Sequence, residues 1–349
     1  MRCFAAKLLM VSVALPLALL SCSPKDSYFA AGPRESRLET EKLLKMLGGE
    51  KDESEARFIL IQRISNNLMS AGYPERLNVF LTSYVERHPH DPFNAYYLFI
   101  VAQNYKNAKA WPLAAHYYER ILRCHPDILI HEQPVHLLCL KELVRIIDRP
   151  DYRINYYKEL VARFADYIDA GSTWFYMAKT CEALGEWEQA VQAYTNFLKY
   201  PDTVIGGYPD AHRQVMKLLA FNNSDKSWSR SSLDELVTQI RTAIAEKDAR
   251  ALGRLQAGVG FFAVFWDQEE SAVSPLSMIA IGEFLRSSYI SCARTLDPES
   301  TRQEAYLATY GWSYRMPTWY FYFRKIYYPG NPEINGRWEW AGIYFGEKL

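Results

Sequence analysis

The chain carries no net charge, forms no cysteine pairs and has few histidines, and each shortage narrows what it can do. Its 40 basic residues balance 40 acidic ones, so it lacks the electrostatic footprint of a nucleic-acid binder and no nucleic-acid partner is expected. Its six cysteines include no C-x-x-C pair and no cysteine/histidine spacing suited to a metal. No metal or other cofactor is therefore expected. Cys124, Cys139, Cys181 and Cys292 lie in apolar helical patterns and read as buried free thiols rather than bridges. All seven histidines precede residue 232, so the last third of the chain has no imidazole base. The pairs His88/His90 and His131/His136 lack the i, i+4 spacing and adjacent glutamate of a zinc-protease helix. There is no G-x-S-x-G, phosphate loop or G-x-G-x-x-G, and Gly258-Val259-Gly260 is too short for a nucleotide loop. Asp267, Glu269 and Glu270 offer carboxylates but read as a solvated turn, so no enzyme is expected.

The long uncharged apolar run, Leu8 to Leu20, follows Arg2 and Lys7 and ends at Ser21-Cys22. It is too short for a comfortable permanent span and has the three-part layout of an export signal over 1–21. Leu19-Leu20-Ser21-Cys22 resembles a lipobox of the looser spirochaete type, since Leu20 is larger than the strict pattern prefers. That resemblance implies a bacterial lipoprotein acylated at Cys22, anchored to a membrane by its lipid and facing the periplasm. More than one acyl chain makes such an anchor lasting. Residues 22–57 are expected to hold a polar tether, Ser23 to Ser27, and a leading helix.

Aromatic residues are abundant, with 25 Tyr, 17 Phe and 9 Trp, and many fall in a repeating phrase. "FLTSYVERHP", "YYERILRCHP" and "YTNFLKYP" end at Pro89, Pro126 and Pro201. The fullest copy places Trp174, Met177, Ala178 and Cys181 on one helical stripe and Trp187, Ala190, Tyr194 and Phe197 on the next, with Gly185 at the turn. A second copy aligns Leu98, Val101, Ala102 and Tyr105 with Trp111, Ala114, Tyr118 and Ile121. These hairpins resemble the tetratricopeptide repeat. Four are expected over 58–221, starting near 58, 95, 134 and 171, with a terminal helix through Val215, Leu218, Leu219 and Phe221.

The resemblance implies a stack whose first helices line a concave groove. Residues there outside the packing stripe are the candidate binding set: Gln62, Asn66, Phe99, Gln103, Lys106, Glu142, Arg145, Phe175, Lys179 and Glu182. Exposed Phe99 and Phe175 beside mixed charges suit an extended peptide or a partner helix.

Asn222 to Ser232 is polar and reads as a linker to a second domain over 232–349. Ser232 with Glu235 fits a capping box, and Asp248 fits the cap of a second helix. "FFAVFW" reads as a strand, Ser274-Pro275 as a helix start, and "AYLATYGWSY", "TWYFYFRKIYY" and "RWEWAGIYF" as three more strands. Strict alternation puts Trp338, Trp340 and Tyr344 on one face of the last strand and Ile343 and Phe345 on the other. The order of elements and the phrase "AIAEKDARALGRL" resemble the nuclear-transport-factor-2-like cone, which implies a pocket between helices and sheet.

The expected fold class is thus mainly α: a tetratricopeptide-like solenoid followed by a smaller α+β domain with an antiparallel sheet. The expected role is a membrane-anchored scaffold binding an envelope protein or peptide through the repeat groove. The alternative is small-ligand binding or hydrolysis in a pocket of the α+β domain. A carboxylate or arginine buried at a concave mouth of that domain would favour the alternative, and a flat, packed interior would favour the scaffold.

Overall fold

A computed structural model describes residues 26–50, 55–266 and 278–347. The export signal, Cys22, the carboxylates Asp267, Glu269 and Glu270, and the helix start at Ser274-Pro275 lie outside those residues. The chain is mainly helical with an α+β region at its C-terminal end, and it divides into two compact units meeting between Ile146 and Ile147. No helix among the described residues is long and apolar enough to cross a membrane.

The first unit contains α1 (Asp26–Phe29), α2 (Arg34–Gly49), α3 (Glu55–Ser70), α4 (Pro74–Arg87), α5 (Asn94–Asn107), α6 (Trp111–Cys124), a short hairpin of β1 (Leu129–Ile130) and β2 (Gln133–Pro134), and α7 (Val135–Ile146). The polar tether expected to reach Ser27 stops sooner. Residues 26–29 are helical, and Phe29 is buried edge-on against Phe80 at 5.3 Å. In the hairpin α3/α4, Ile61, Ile64, Leu68, Leu77 and Leu81 are all buried at helical spacing.

The second unit opens with α8 (Pro150–Arg163), α9 (Ala170–Leu184), α10 (Trp187–Phe197) and α11 (Ala211–Asn223). One turn recurs in both units. A residue with left-handed φ, namely Gly72, Lys109 or Gly185, ends the first helix of a hairpin. The next amide then bonds back five residues, from Tyr73 to Leu68, Ala110 to Tyr105 and Glu186 to Cys181, each at 2.9 Å. This closes the orphan carbonyls of the helix end and sends the chain directly into the partner helix.

Next come α12 (Leu233–Ala245), α13 (Ala249–Leu255), β3 (Phe262–Phe265), α14 (Met278–Ser287), β4 (Ser291–Cys292), β5 (Glu304–Tyr310), β6 (Thr318–Lys325) and β7 (Trp338–Phe345). The caps read from sequence are present. The Ser232 hydroxyl accepts from the Glu235 amide at 3.1 Å, and Asp248 accepts from the Arg250 and Ala251 amides at 2.9 Å. The sheet runs β3-β7-β6-β5-β4 and is antiparallel except where β3 joins β7 in parallel. One face packs on α12, α13 and α14 through Leu236, Ile240, Leu252, Ile281, Phe321 and Trp340. Trp312 stacks on Trp319 at 4.2 Å, and Phe321 stacks on Trp340 at 4.3 Å.

The facing of β7 departs from strict alternation. Trp338, Trp340, Ile343 and Phe345 all share the helix-covered face, while Tyr344 and Ala341 lie on the other. The cause is a bulge. Tyr322 pairs with Gly342 but Phe323 pairs with Trp340, so Ala341 is an extra residue that resets the side-chain period. The second face is covered by rings: Trp266 stacks on Tyr344 at 4.3 Å and meets Tyr320 edge-on at 5.3 Å.

The segment expected to be a polar linker is packed instead. Trp228 and Ser229 are buried, and Arg230 exchanges two backbone hydrogen bonds with Trp338, at 2.9 and 2.8 Å. Ser, Asn and Asp make the stretch look solvated in sequence, but its single tryptophan anchors it to β7.

Candidate functional site

The groove residues divide between the units, and each set is described by itself. In the first unit, Gln62 and Gln103 are half-buried and Asn66 and Arg145 are exposed. Lys106 on α5 and Glu142 on α7 come together in an ion pair at 2.9 Å, and Phe99 is half-buried with its ring 6.0 Å from Tyr118. In the second unit, Lys179 and Glu182 pair at 2.6 Å one helical turn apart. Phe175 is not exposed as expected. It is 3% accessible and lies among Phe197, Tyr194 and Tyr208, with ring centroids 5.2, 6.0 and 5.1 Å away. A helix inside a stack has neighbours on more than one side: α9 packs on α8, on α10 and against the loop leading to α11, so its buried sector is wider than one stripe.

The second unit also holds a cavity of about 640 Å³, in the size range of small-molecule sites. One wall is helical. Trp187 opens α10, and α11 presents Arg213, Lys217, Leu218 and Phe221 on successive turns. The other wall is the end of the sheet: Phe262 of β3, Arg324 and Lys325 closing β6, the turn residues Ile326 to Pro329, and Glu339 of β7. The 328–330 turn lies directly on Trp187, because Gly330 has no Cβ; one there would sit 2.8 Å from the indole. Tyr328 bonds to Asn222 through its hydroxyl and lies 5.2 Å from the Phe221 ring. Burial raises the phenol of Tyr328 above its ordinary pKa, which keeps it protonated.

Glu339 is the buried charge of the wall, at 3% exposure. One oxygen accepts from Arg324 Nε at 2.9 Å and the other from the Trp228 indole at 2.8 Å. Both carboxylate oxygens are thereby satisfied, and the ion pair neutralises the carboxylate. Glu182, also on the cavity wall, is held by Lys179. Arg213 pairs with Asp210 at 2.6 Å, whereas Lys217 is exposed with no ion-pair partner among the described residues. The Lys325 ammonium lies 5.5 Å above the Trp338 ring. Beside the cavity, Lys226 donates to the Asn222 and Ser224 carbonyls at 3.0 and 2.5 Å and so caps the end of α11. Burial lowers its ammonium below the usual value.

Chemically, the cavity lining combines aromatic rings with cationic side chains. Its two carboxylates are each held in an ion pair, and its lining residues include no histidine. Among the described residues no group of His, Cys, Asp and Glu could hold a metal ion. Cys139, Cys181 and Cys292 are free thiols raised in pKa chiefly by burial, so they are poor nucleophiles. Against expectation, Cys124 is exposed, and Cys292 is half-buried in strand β4 rather than in a helix.

In the sequence Trp187 and Phe221 read as repeat packing, and nothing sets Arg324, Lys325 or Glu339 apart. The one local signal was the i, i+4 cation pair Arg213/Lys217 beside the apolar stripe of α11. Compared with known proteins, the chain matches no family model, no curated protein and no solved structure.

Proposed function

We propose that this chain is a lipid-anchored binding protein of the bacterial envelope, in which tetratricopeptide-like repeats form a scaffold for a protein or peptide partner and no reaction is catalysed. The observation that carries the reading is the recurring helix–turn–helix, ended by the same left-handed turn at Gly72, Lys109 and Gly185. Such repetition builds rigid, extended surfaces suited to protein recognition. The anchor rests on the sequence around Cys22.

Two variants test the two halves of the proposal. Cys22→Ala removes the acylation site and should leave the detergent phase on partitioning; mature protein that still enters it refutes the anchor. Asn66→Glu with Arg145→Glu alters two exposed groove positions, so folding should be unchanged. Partners crosslinked to the parent chain in membranes should then be lost, and retention of every one refutes the groove.

A second reading, small-ligand binding, is favoured by a specific observation, although the cavity is walled by α10 and α11 together with the sheet and not enclosed between the sheet and its covering helices. A buried carboxylate and its arginine, Glu339 and Arg324, stand at the wall of a 640 Å³ cavity rather than in a flat, packed interior. A helix hairpin, an edge strand, a helix and a four-strand meander support the nuclear-transport-factor-2-like reading of the C-terminal region.

A further inference from the structure

We propose that the cavity of the second unit binds a small amphipathic anion: an apolar, preferably aromatic, body bearing one carboxylate or phosphate. The inference rests on the small-ligand reading above and adds the ligand class.

The charge balance of the wall decides the sign. Arg213, Lys217 and Arg324 stand in the lining with Glu182 and Glu339, while the Lys325 ammonium is turned onto Trp338. Both carboxylates are already neutralised, Glu339 by Arg324 and Glu182 by Lys179. What remains is cationic. The unbalanced charge is that of Lys217, which has no ion-pair partner among the described residues; Arg324 is balanced by Glu339 but bonds to it through Nε alone. A guanidinium held by its Nε keeps its Nη pair for an incoming oxyanion. The carboxylate and the Trp228 indole behind it fix the arginine in place, so little side-chain freedom is lost on binding.

The rings decide the body. Trp187, Phe221, Tyr328 and Phe262 supply ring surface in one cavity, with Leu218 and Ile326 between them. Rings of this kind favour a flat apolar group, and polar groups in the lining orient it. A cation would meet Lys217 in the lining. A neutral molecule would leave it without a partner.

The experiment is isothermal titration calorimetry on the full chain in a nonionic detergent at low salt. Three ligands share one ring system: naphthalene-2-carboxylate, 2-naphthyl phosphate and the neutral naphthalene-2-carboxamide. At least one anion should bind ten times more tightly than the amide, and the tighter of the two identifies the head group. Lys217→Glu, at an exposed helix position, should weaken the anions at least tenfold and leave the amide nearly unchanged. Lys45→Glu, the same charge change at an exposed position in the first unit, should do neither. If the amide binds as well as both anions, the ligand class is refuted while the small-ligand reading stands. If none of the three binds at millimolar concentration, both are refuted. If Lys45→Glu weakens the anions as much as Lys217→Glu, binding follows net charge rather than this cavity, and the proposal fails.

Discussion

Replacing Phe175 by alanine tests where the helical stack ends and its surface begins. The ring is 3% accessible, and three aromatic neighbours from α10 and the loop before α11 lie within 6.0 Å. Removing it takes away the transfer free energy of a buried aromatic and leaves a cavity that ring neighbours can only partly fill. Such Phe→Ala changes cost about 3–5 kcal/mol. For a unit spanning 147–349, roughly 2–4 °C of melting temperature corresponds to each kcal/mol, so a fall of about 6–20 °C is expected. Phe99→Ala is the internal comparison. That ring is half-buried and its aromatic neighbour, Tyr118, stands 6.0 Å away, so a loss of about 1 kcal/mol is expected. Differential scanning calorimetry and urea unfolding on both variants give the two numbers. If Phe175→Ala melts within 2 °C of the parent, or loses no more than Phe99→Ala, the ring is not a core residue and the wide buried sector assigned to α9 is wrong. The result also bears on recognition, since lost partner binding in Phe175→Ala would report unfolding rather than a missing anchor.

Two other perturbations follow from the polar groups. Glu339→Leu leaves Arg324 and the Trp228 indole without their acceptor; because the Arg324 side chain keeps 36% of its exposure and can be rehydrated, the loss should be about 2–4 kcal/mol, at the lower end for a broken buried pair, and urea unfolding that matches the parent would refute the triad. His125 is held below its usual pKa, first by burial and then by Arg120 and His136. The unfolded chain therefore binds the proton more readily, and between the folded value and about 6.5 stability rises with pH and is lost on acidification. His125→Gln should flatten the fall in melting temperature below pH 6.5, and an unchanged slope would refute the assignment.

The sequence determined by itself everything that depends on local period and local chemistry. Spacings of three and four placed the helices of the hairpins α3/α4, α5/α6 and α9/α10, because each stripe is buried against its partner helix, whereas the third expected hairpin falls across the boundary between the units. Ser232 and Asp248 announced their helices since a cap bonds amides two or three residues away. The four aromatic strands were legible from their turn residues, and the balanced charge and the cysteine spacing are read without any fold. Tertiary structure alone decided what lies against what. Whether Phe175 faced a groove or a neighbour depended on α10 and the loop before α11, and no pattern within α9 contains them. The bulge at Ala341 depended on pairing with β6, and it moved Ile343 and Phe345 onto the face of Trp338 and Trp340. Trp228 looked like a lone aromatic in a polar linker until its indole found Glu339, 111 residues away. The cavity is the extreme case. Its walls come from helices near 187 and 217 and from strands near 262, 324 and 339, and only the closure of the chain over those separations sets Lys217 and Arg324 beside a cluster of aromatic rings.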